Sequence, residues 1–283
     1  STPCAALPGG EKYPQFTRYT RFRSGGDRMK RSLLIAFFVV SFVAVSGLSP
    51  VDAQPPQLID HYLIYHTMQP FTAMPGQVAL FDQFGGYHPD PDFVMEAFGN
   101  PVDKNGEGIL DPRAHLSVWR MMDIPTDEFE IGVSDQFGYN IWRVKDAVYL
   151  LLPALKNDGG EPPLKDHYLC YTVVDGPVLD IPVQLADQWG AGGYMLGQAV
   201  LWCNPVEKVV NGIPYPIIHN AHHLAVYEIM NPMPFHVSFF WLDQFMEQYN
   251  EADMPWLLAV PAVKEFPVPV EESTWGHIKS LYR

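Results

Sequence analysis

The sequence predicts an all-β protein: two tandem small β-barrel or sandwich domains, each built from two three-strand half-modules. Three observations predict this. A set of three signals recurs four times in the same order. The segments between the signals alternate apolar and polar residues with period two. The chain is also rich in turn-formers, with 27 Pro and 22 Gly in 283 residues. Many short strands at regular spacing, separated by turn signals, indicate a barrel or a sandwich.

The repeat comes first because it constrains everything else. Each copy opens on a His (His61, His115, His167, His223) and reaches an Asp-Gln-aromatic turn at Asp82, Asp135, Asp187 or Asp243. It ends on Pro-x-x-Lys at Lys104, Lys156, Lys208 or Lys264. From His to Asp the steps are 21, 20, 20 and 20 residues, and from Asp to Pro 19, 18, 18 and 18. One structural unit has been copied. A residue present in every copy belongs more naturally to the scaffold than to a single active site.

The first strand of each copy starts at the His. Tyr62 and Ile64, Leu116 and Val118, Tyr168 and Cys170, and Leu224 and Val226 fall on one face, and this period of two argues strand over helix. The second strand runs into the turn with apolar residues at alternate places: Val78 and Leu80, Ile131 and Val133, Val183 and Leu185, Phe239 and Trp241. The third is nearly continuous apolar sequence (147–152, 199–202, 256–260) and ends at the Pro, which cannot donate to a central ladder. A last segment, His277 to Tyr282, looks like a fifth opening strand that would cover an exposed edge.

Copies one and three share Asp-His-Tyr-Leu and Asn-Pro-Val, whereas copies two and four share His-Leu and Pro-Ala. The alternation implies that a two-copy domain was itself duplicated. The expected domains are 55–163 and 164–283, with the seam in the turn-forming, acidic run 157–163.

Residues 1–28 read as an upstream extension and 29–53 as a signal peptide. Met29-Lys30-Arg31 is basic, Ser32 to Val45 is apolar, and Val51-Asp52-Ala53 offers small residues for cleavage before Gln54. The alternative is an uncleaved anchor, since the apolar run of about 17 residues is at the short limit of a span. Cleavage is preferred because the small-residue site lies at the expected distance. The expected location is secreted, periplasmic or cell-surface, with no membrane insertion after cleavage.

Seven of the 18 basic and three of the 32 acidic residues precede Gln54, which leaves 11 and 29 and a formal charge of −18. Such a field repels phosphate backbones and anionic lipid, so nucleic acid is not an expected partner. An extracellular or cell-surface partner is.

The His-Tyr-x-Cys-Tyr strand, the Asp-Gln-Phe-Gly turn and the Cys-Asn-Pro-Val-x-Lys stretch resemble an uncharacterised domain-of-unknown-function family of secreted bacterial and archaeal proteins. His167 to Lys208 is the nearest stretch. The first domain departs from it, with Ile64 and Gly99 in place of Cys170 and Cys203. The resemblance implies no activity.

Four sets of residues bear on chemistry. Asp82, Asp135, Asp187 and Asp243 are expected to hold turns by accepting backbone N–H bonds, with Gly85, Gly138 and Gly190 at φ > 0. Met246, in place of a Gly, implies a different fourth turn. The rival role is a metal site or acid–base chemistry, but catalysis needs carboxylates in unlike environments, whereas four equivalent copies predict like ones. Asp103, Asn105, Glu107 and Asp111, with Gly108 closing positions 1 to 6 of the loop, follow calcium-loop spacing, although Ala114 stands where the bidentate acid belongs. Calcium is thus the one cofactor considered. His219, His222 and His223 form a weak metal signal, since zinc needs three or four convergent ligands. Cys170 and Cys203 occupy packed positions, and export would make them a disulfide.

No local catalytic signature occurs. The leading expectation is an exported, non-enzymatic structural, adhesive or interaction module. The alternatives are a carbohydrate- or calcium-binding extracellular domain, and an enzyme of unknown class with its site between the two domains.

Overall fold

Every helix or strand among the described residues is a β-strand. The computed structural model describes residues 59–157 and 159–265. The extension at 1–28, the signal segment at 29–53 and the strand expected at 277–282 lie outside the described residues.

Copy one comprises β1 (His61–Ala73), β2 (Val78–Phe81), β3 (Gly86–Tyr87) and β4 (Phe93–Lys104). Copy two comprises β5 (His115–Ile124), β6 (Phe129–Asp135) and β7 (Gly138–Lys156). Copy three comprises β8 (His167–Val173), β9 (Val178–Asp187) and β10 (Gly190–Val210), followed by the short β11 (Ile213–Tyr215). Copy four comprises β12 (His223–Ile229), β13 (Val237–Leu242) and β14 (Glu247–Glu265). All four opening strands begin at the repeated His, as the period-two pattern predicts.

Each opening strand pairs antiparallel with the third strand of its own copy and with that of the preceding copy. β1 lies between β4 and β14, β5 between β7 and β4, β8 between β10 and β7, and β12 between β14 and β10. Eight strands therefore close into a ring, and closure removes the edges that an open sheet would expose. The halves expected as tandem domains, 55–163 and 164–283, each contribute four strands to this one ring. At the seam, β7 pairs with β8 from Val144↔Val173 to Leu151↔Tyr168, so the ladder runs across the boundary. The duplication is a boundary in the sequence. In space the ring is continuous.

The alternation along each strand decides what faces inward. Tyr62, Ile64, Leu116, Val118, Tyr168, Cys170, Leu224 and Val226 belong to one buried cluster, which fills the ring. The opposite faces present Tyr65, Trp119, Tyr171, Trp202 and Tyr227 to a second, larger cluster. That cluster includes Val78, Leu80, Ile131, Val133, Val183, Leu185, Phe239 and Trp241 of the second strands, which lie over the outside of the ring. Two apolar layers are thus buried, one inside and one outside the same strands. Burial of a large aliphatic or aromatic side chain is worth about 1.5–3 kcal/mol, so both layers contribute substantially.

The second strands tie together copies that are not neighbours in sequence. In copies two, three and four the second strand forms a hairpin with the third across the Asp-Gln turn. Its other edge pairs with the end of the third strand from the next copy but one. β2 pairs with β10, β6 with β14, β9 with β4, and β13 with β7. Copies one and three, and copies two and four, are therefore clasped reciprocally. Among the described residues no helix is long and apolar enough to cross a membrane.

Candidate functional site

The Asp residues of the four turns each do two things with one carboxylate. Oδ1 caps the turn. Asp82 accepts the N–H of Phe84 at 2.8 Å and of Gly85 at 3.2 Å, Asp135 that of Phe137 at 2.8 Å, Asp187 those of Trp189 at 2.8 Å and Gly190 at 3.1 Å, and Asp243 those of Phe245 at 2.7 Å and Met246 at 3.1 Å. This is the Asx-type geometry that favours Asp in turns.

Oδ2 reaches across to the next copy but one. Asp82 accepts the Tyr171 hydroxyl at 2.8 Å and the Asn204 amide at 2.9 Å, and Asp187 reciprocally accepts Tyr65 at 3.0 Å and Asn100 at 2.8 Å. Asp135 accepts the Tyr227 hydroxyl at 2.5 Å. Asp243 accepts the Trp119 indole N–H at 2.7 Å and the Ser117 hydroxyl. The donors are the residue four places after each repeated His, namely Tyr65, Trp119, Tyr171 and Tyr227, joined by Asn100, Asn204 and Ser117. Burial pushes the carboxyls of Asp82, Asp135 and Asp243 above their ordinary range, and the donors around them oppose that shift.

The fourth turn keeps the closing hydrogen bond of the first despite Met246. Asp243 N–H donates to the Met246 carbonyl at 3.0 Å, as Asp82 N–H does to Gly85 at 3.0 Å. Met246 has no positive φ, whereas Gly85 and Gly138, as expected, have φ 158° and 125°. Gly190 is not at positive φ either, so this corner of the turn does not demand left-handed backbone.

A further set of residues escapes sequence reasoning. Asn105, Asn157 and Asn211 sit in the left-handed region at φ 55°, 55° and 51°, a conformation Asn tolerates better than most residues. Each exchanges two bonds with a second strand of the next copy but one, or with the residue just before it. Asn105 N–H donates to Gln184 O and Asn105 Oδ1 accepts Gln184 N–H, and Asn157 with Phe240 and Asn211 with Gln77 do the same. The usable signal was Asn directly after the repeated Lys in copies one and two.

The repeated Lys residues lie over the turn aromatics of the following copy. Lys156 Nζ is 4.3 Å from the Trp189 ring centre, Lys208 is 4.7 Å from Phe245, and Lys264 is 4.4 Å from Phe84. Burial pushes these amines down to about 8, about 7 and about 8, opposed by Asp187, Asp243 and Asp82 respectively. Lys104 instead pairs with Glu107, which also takes His61 Nε2 at 2.8 Å. Partial burial acts to raise the Glu107 carboxyl, but these two partners hold it below its ordinary value. Burial drives the repeated imidazoles toward the neutral form, down to about 3 for His115, about 2 for His167 and about 3 for His223.

Cys170 and Cys203 form a disulfide inside the ring, with Cα atoms 4.0 Å apart. They face each other directly between β8 and β10. The equivalent facing pairs are Ile64 with Gly99, Val118 with Leu151, and Val226 with Ala259.

The calcium-loop residues point to different partners. Asp103 accepts the Gly108 N–H at 3.0 Å, Asn105 bonds Gln184, and Glu107 is held by Lys104 and His61. Asp111 accepts the Arg113 N–H at 3.1 Å and lies 3.3 Å from Lys165 Nζ. Asp103, Glu107 and Asp111 form no convergent group. Among the described residues, the His, Cys, Asp and Glu side chains whose donor atoms come together in a group of three are Asp166, His219 and His222, all within 4.8 Å of one another. His223 is not in that group and stacks on Trp202 with ring centres 5.0 Å apart.

No curated protein and no solved structure matches the chain. A repeat family does match over residues 115–260, from the first residue of β5 into β14. That stretch holds copy two, copy three and most of copy four, while copy one, which completes the ring, lies outside it. The chain belongs to the family of the DUF7450 repeat, a repeat of unknown function.

Proposed function

We propose that the chain is an exported, non-enzymatic structural or interaction module whose repeated polar residues build the scaffold. One observation carries this reading: the carboxylate of every Asp-Gln turn is occupied by its own turn and by donors from the next copy but one. A group consumed in the same way in four places is suited to holding copies together. It is poorly suited to chemistry, which needs carboxylates in contrasting environments. The buried disulfide supports export, because such bonds persist in oxidising compartments. The acidic surface supports solubility and a partner that is not polyanionic.

Single replacement of Asp82, Asp135, Asp187 and Asp243 by Ala tests the reading. Each should lower stability by roughly 1–3 kcal/mol or more, the cost of stranding buried donors. One Asp whose loss leaves thermal unfolding unchanged, while abolishing a binding or catalytic activity, would overturn it.

A further inference from the structure

We infer that Asp166, His219 and His222 form a binding site for a divalent transition ion of the zinc type. Asp166 immediately precedes β8, and the two His residues lie in the 216–222 loop between β11 and β12. The three donor atoms lie within 4.8 Å of one another. Asp166 Oδ2 is 3.3 Å from His219 Nδ1, and the His219 and His222 rings stack at 4.4 Å. Ligands about 2.0–2.2 Å from a tetrahedral zinc are separated by about 3.3–3.6 Å, so the donor atoms lie near the required spacing, and rotation of the two stacked imidazoles out of their near-parallel planes would aim their lone pairs at one ion. Two imidazoles and a carboxylate suit a borderline ion and do not suit calcium, which takes oxygen ligands.

The internal repeat supplies a control that a single site would lack. The loop before β5 has the same backbone arrangement as the loop before β12. Asp60 accepts the N–H groups of Leu110 and Asp111 at 2.6 and 3.1 Å, as Asp166 accepts those of Ile218 and His219 at 2.6 and 3.1 Å. Ala114 N–H donates to Asp111 O at 3.1 Å, as His222 N–H does to His219 O at 3.2 Å. His219 thus takes the place of Asp111, and His222 that of Ala114. Both loops fold alike, so neither imidazole is required by the turn. The fold accounts for Asp166 but not for the pair of His residues beside it.

The site is also held before any ion arrives. The Asp166 side chain is 2% exposed and anchored by two backbone donors. Gln83, from the first turn, donates to the Asn220 carbonyl at 3.3 Å and fixes the middle of the loop. Pre-positioned ligands lose less freedom on binding. Lys165, the nearby cation, is drawn toward Asp111 at 3.3 Å. The His219 side chain is 56% exposed, which leaves the fourth coordination position open to water or to a donor from a partner.

The test is titration of the tag-free exported chain with zinc by calorimetry, and with cobalt(II) read by its visible absorption. The wild type should bind one ion per chain with micromolar or tighter affinity, and cobalt should show a four-coordinate spectrum that zinc abolishes. The double variant His219→Asp, His222→Ala installs the residues of the equivalent loop, so it should fold. Its affinity should fall at least about tenfold, the lower end of what disturbing a metal site costs. His222→Ala alone serves if the double variant misfolds, and His236→Ala should bind as the wild type does. Absence of stoichiometric binding by the wild type, or unchanged affinity in the folded His222 variants, would overturn the inference.

Discussion

Asp82 accepts the hydroxyl of Tyr171 at 2.8 Å, and the two residues belong to copies that are not neighbours in sequence. Asp187 and Tyr65 repeat the bond in the opposite direction at 3.0 Å. The clasp between copies one and three is therefore closed twice by the same chemistry, with residues at equivalent places exchanging roles. A bond between a phenol and a buried carboxylate is charge-assisted and stronger than a neutral pair. Its loss strands a buried group on whichever side remains.

A double-mutant cycle of Asp82→Asn and Tyr171→Phe should give a coupling energy of about 0.5–3 kcal/mol, the range for directly bonded partners. The cycle Asp82→Asn with Tyr65→Phe should be close to additive, because Tyr65 bonds a different carboxylate. Chemical denaturation of the single and double variants measures both. Equal coupling in the two cycles would contradict the pairing.

Lys208 is fully buried, and its Nζ lies over Phe245 without a hydrogen-bond acceptor. Burial lowers its amine to about 7 from 10.5, so between those values the unfolded chain holds a proton that the folded chain does not. Stability should then rise with pH across that window, by up to about 1.4 kcal/mol per pH unit from this group. Lys208→Met should remove that slope and leave stability at pH 7 equal or higher, by up to about 4 kcal/mol. A slope that persists in the variant would refute this.

Acid should act on the repeated imidazoles. His115, His167 and His223 are held neutral in the fold, with values of about 3, about 2 and about 3 against 6.5 when exposed. Below 6.5 the unfolded state gains protons that the folded state refuses, so stability falls as pH drops from 6.5 toward 3. The raised carboxyls of Asp82, Asp135 and Asp243 act in the opposite sense, because the fold binds their protons more readily. Comparing wild type with His167→Gln cancels the carboxylates. The variant should lose about 1.4 kcal/mol less per pH unit on acidification, measured by thermal melts between pH 6.5 and 5.

The ring interior offers a control for the disulfide. Cys170→Val with Cys203→Ala installs the facing pair that copy four carries at Val226 and Ala259. The bridge closes a span of 33 residues, so its removal should cost about 2–4 kcal/mol without loss of the fold. A variant as stable as the oxidised wild type would mean that the bridge contributes nothing measurable. The loss should match that caused by reduction of the wild type.

How much of this was legible in the sequence depends on the distance over which each residue acts. The facing of Tyr62 and Ile64, the opening of each strand at its His, and the cap of each Asp on the N–H two residues later are local. Side-chain alternation and turn chemistry dictate them within a few residues, so the chain determines them by itself. The Met246 turn shows the limit even there, since it keeps the turn's hydrogen bond without the positive φ that Gly85 and Gly138 adopt. The closure of eight strands into one ring, the clasp of Asp82 on Tyr171 across 89 residues, and that of Asp243 on Trp119 across 124 were not legible. Periodicity says which face of a strand is apolar but not which strand will cover it. The meeting of Asp166 with His219 and His222 was hidden for the same reason: a local His cluster has no ligand geometry until a carboxylate 53 residues away is folded against it. Only the tertiary structure decided those partners, because every copy offers an Asp acceptor and an aromatic donor at equivalent places, and the folding of the copies against one another selects which of them meet.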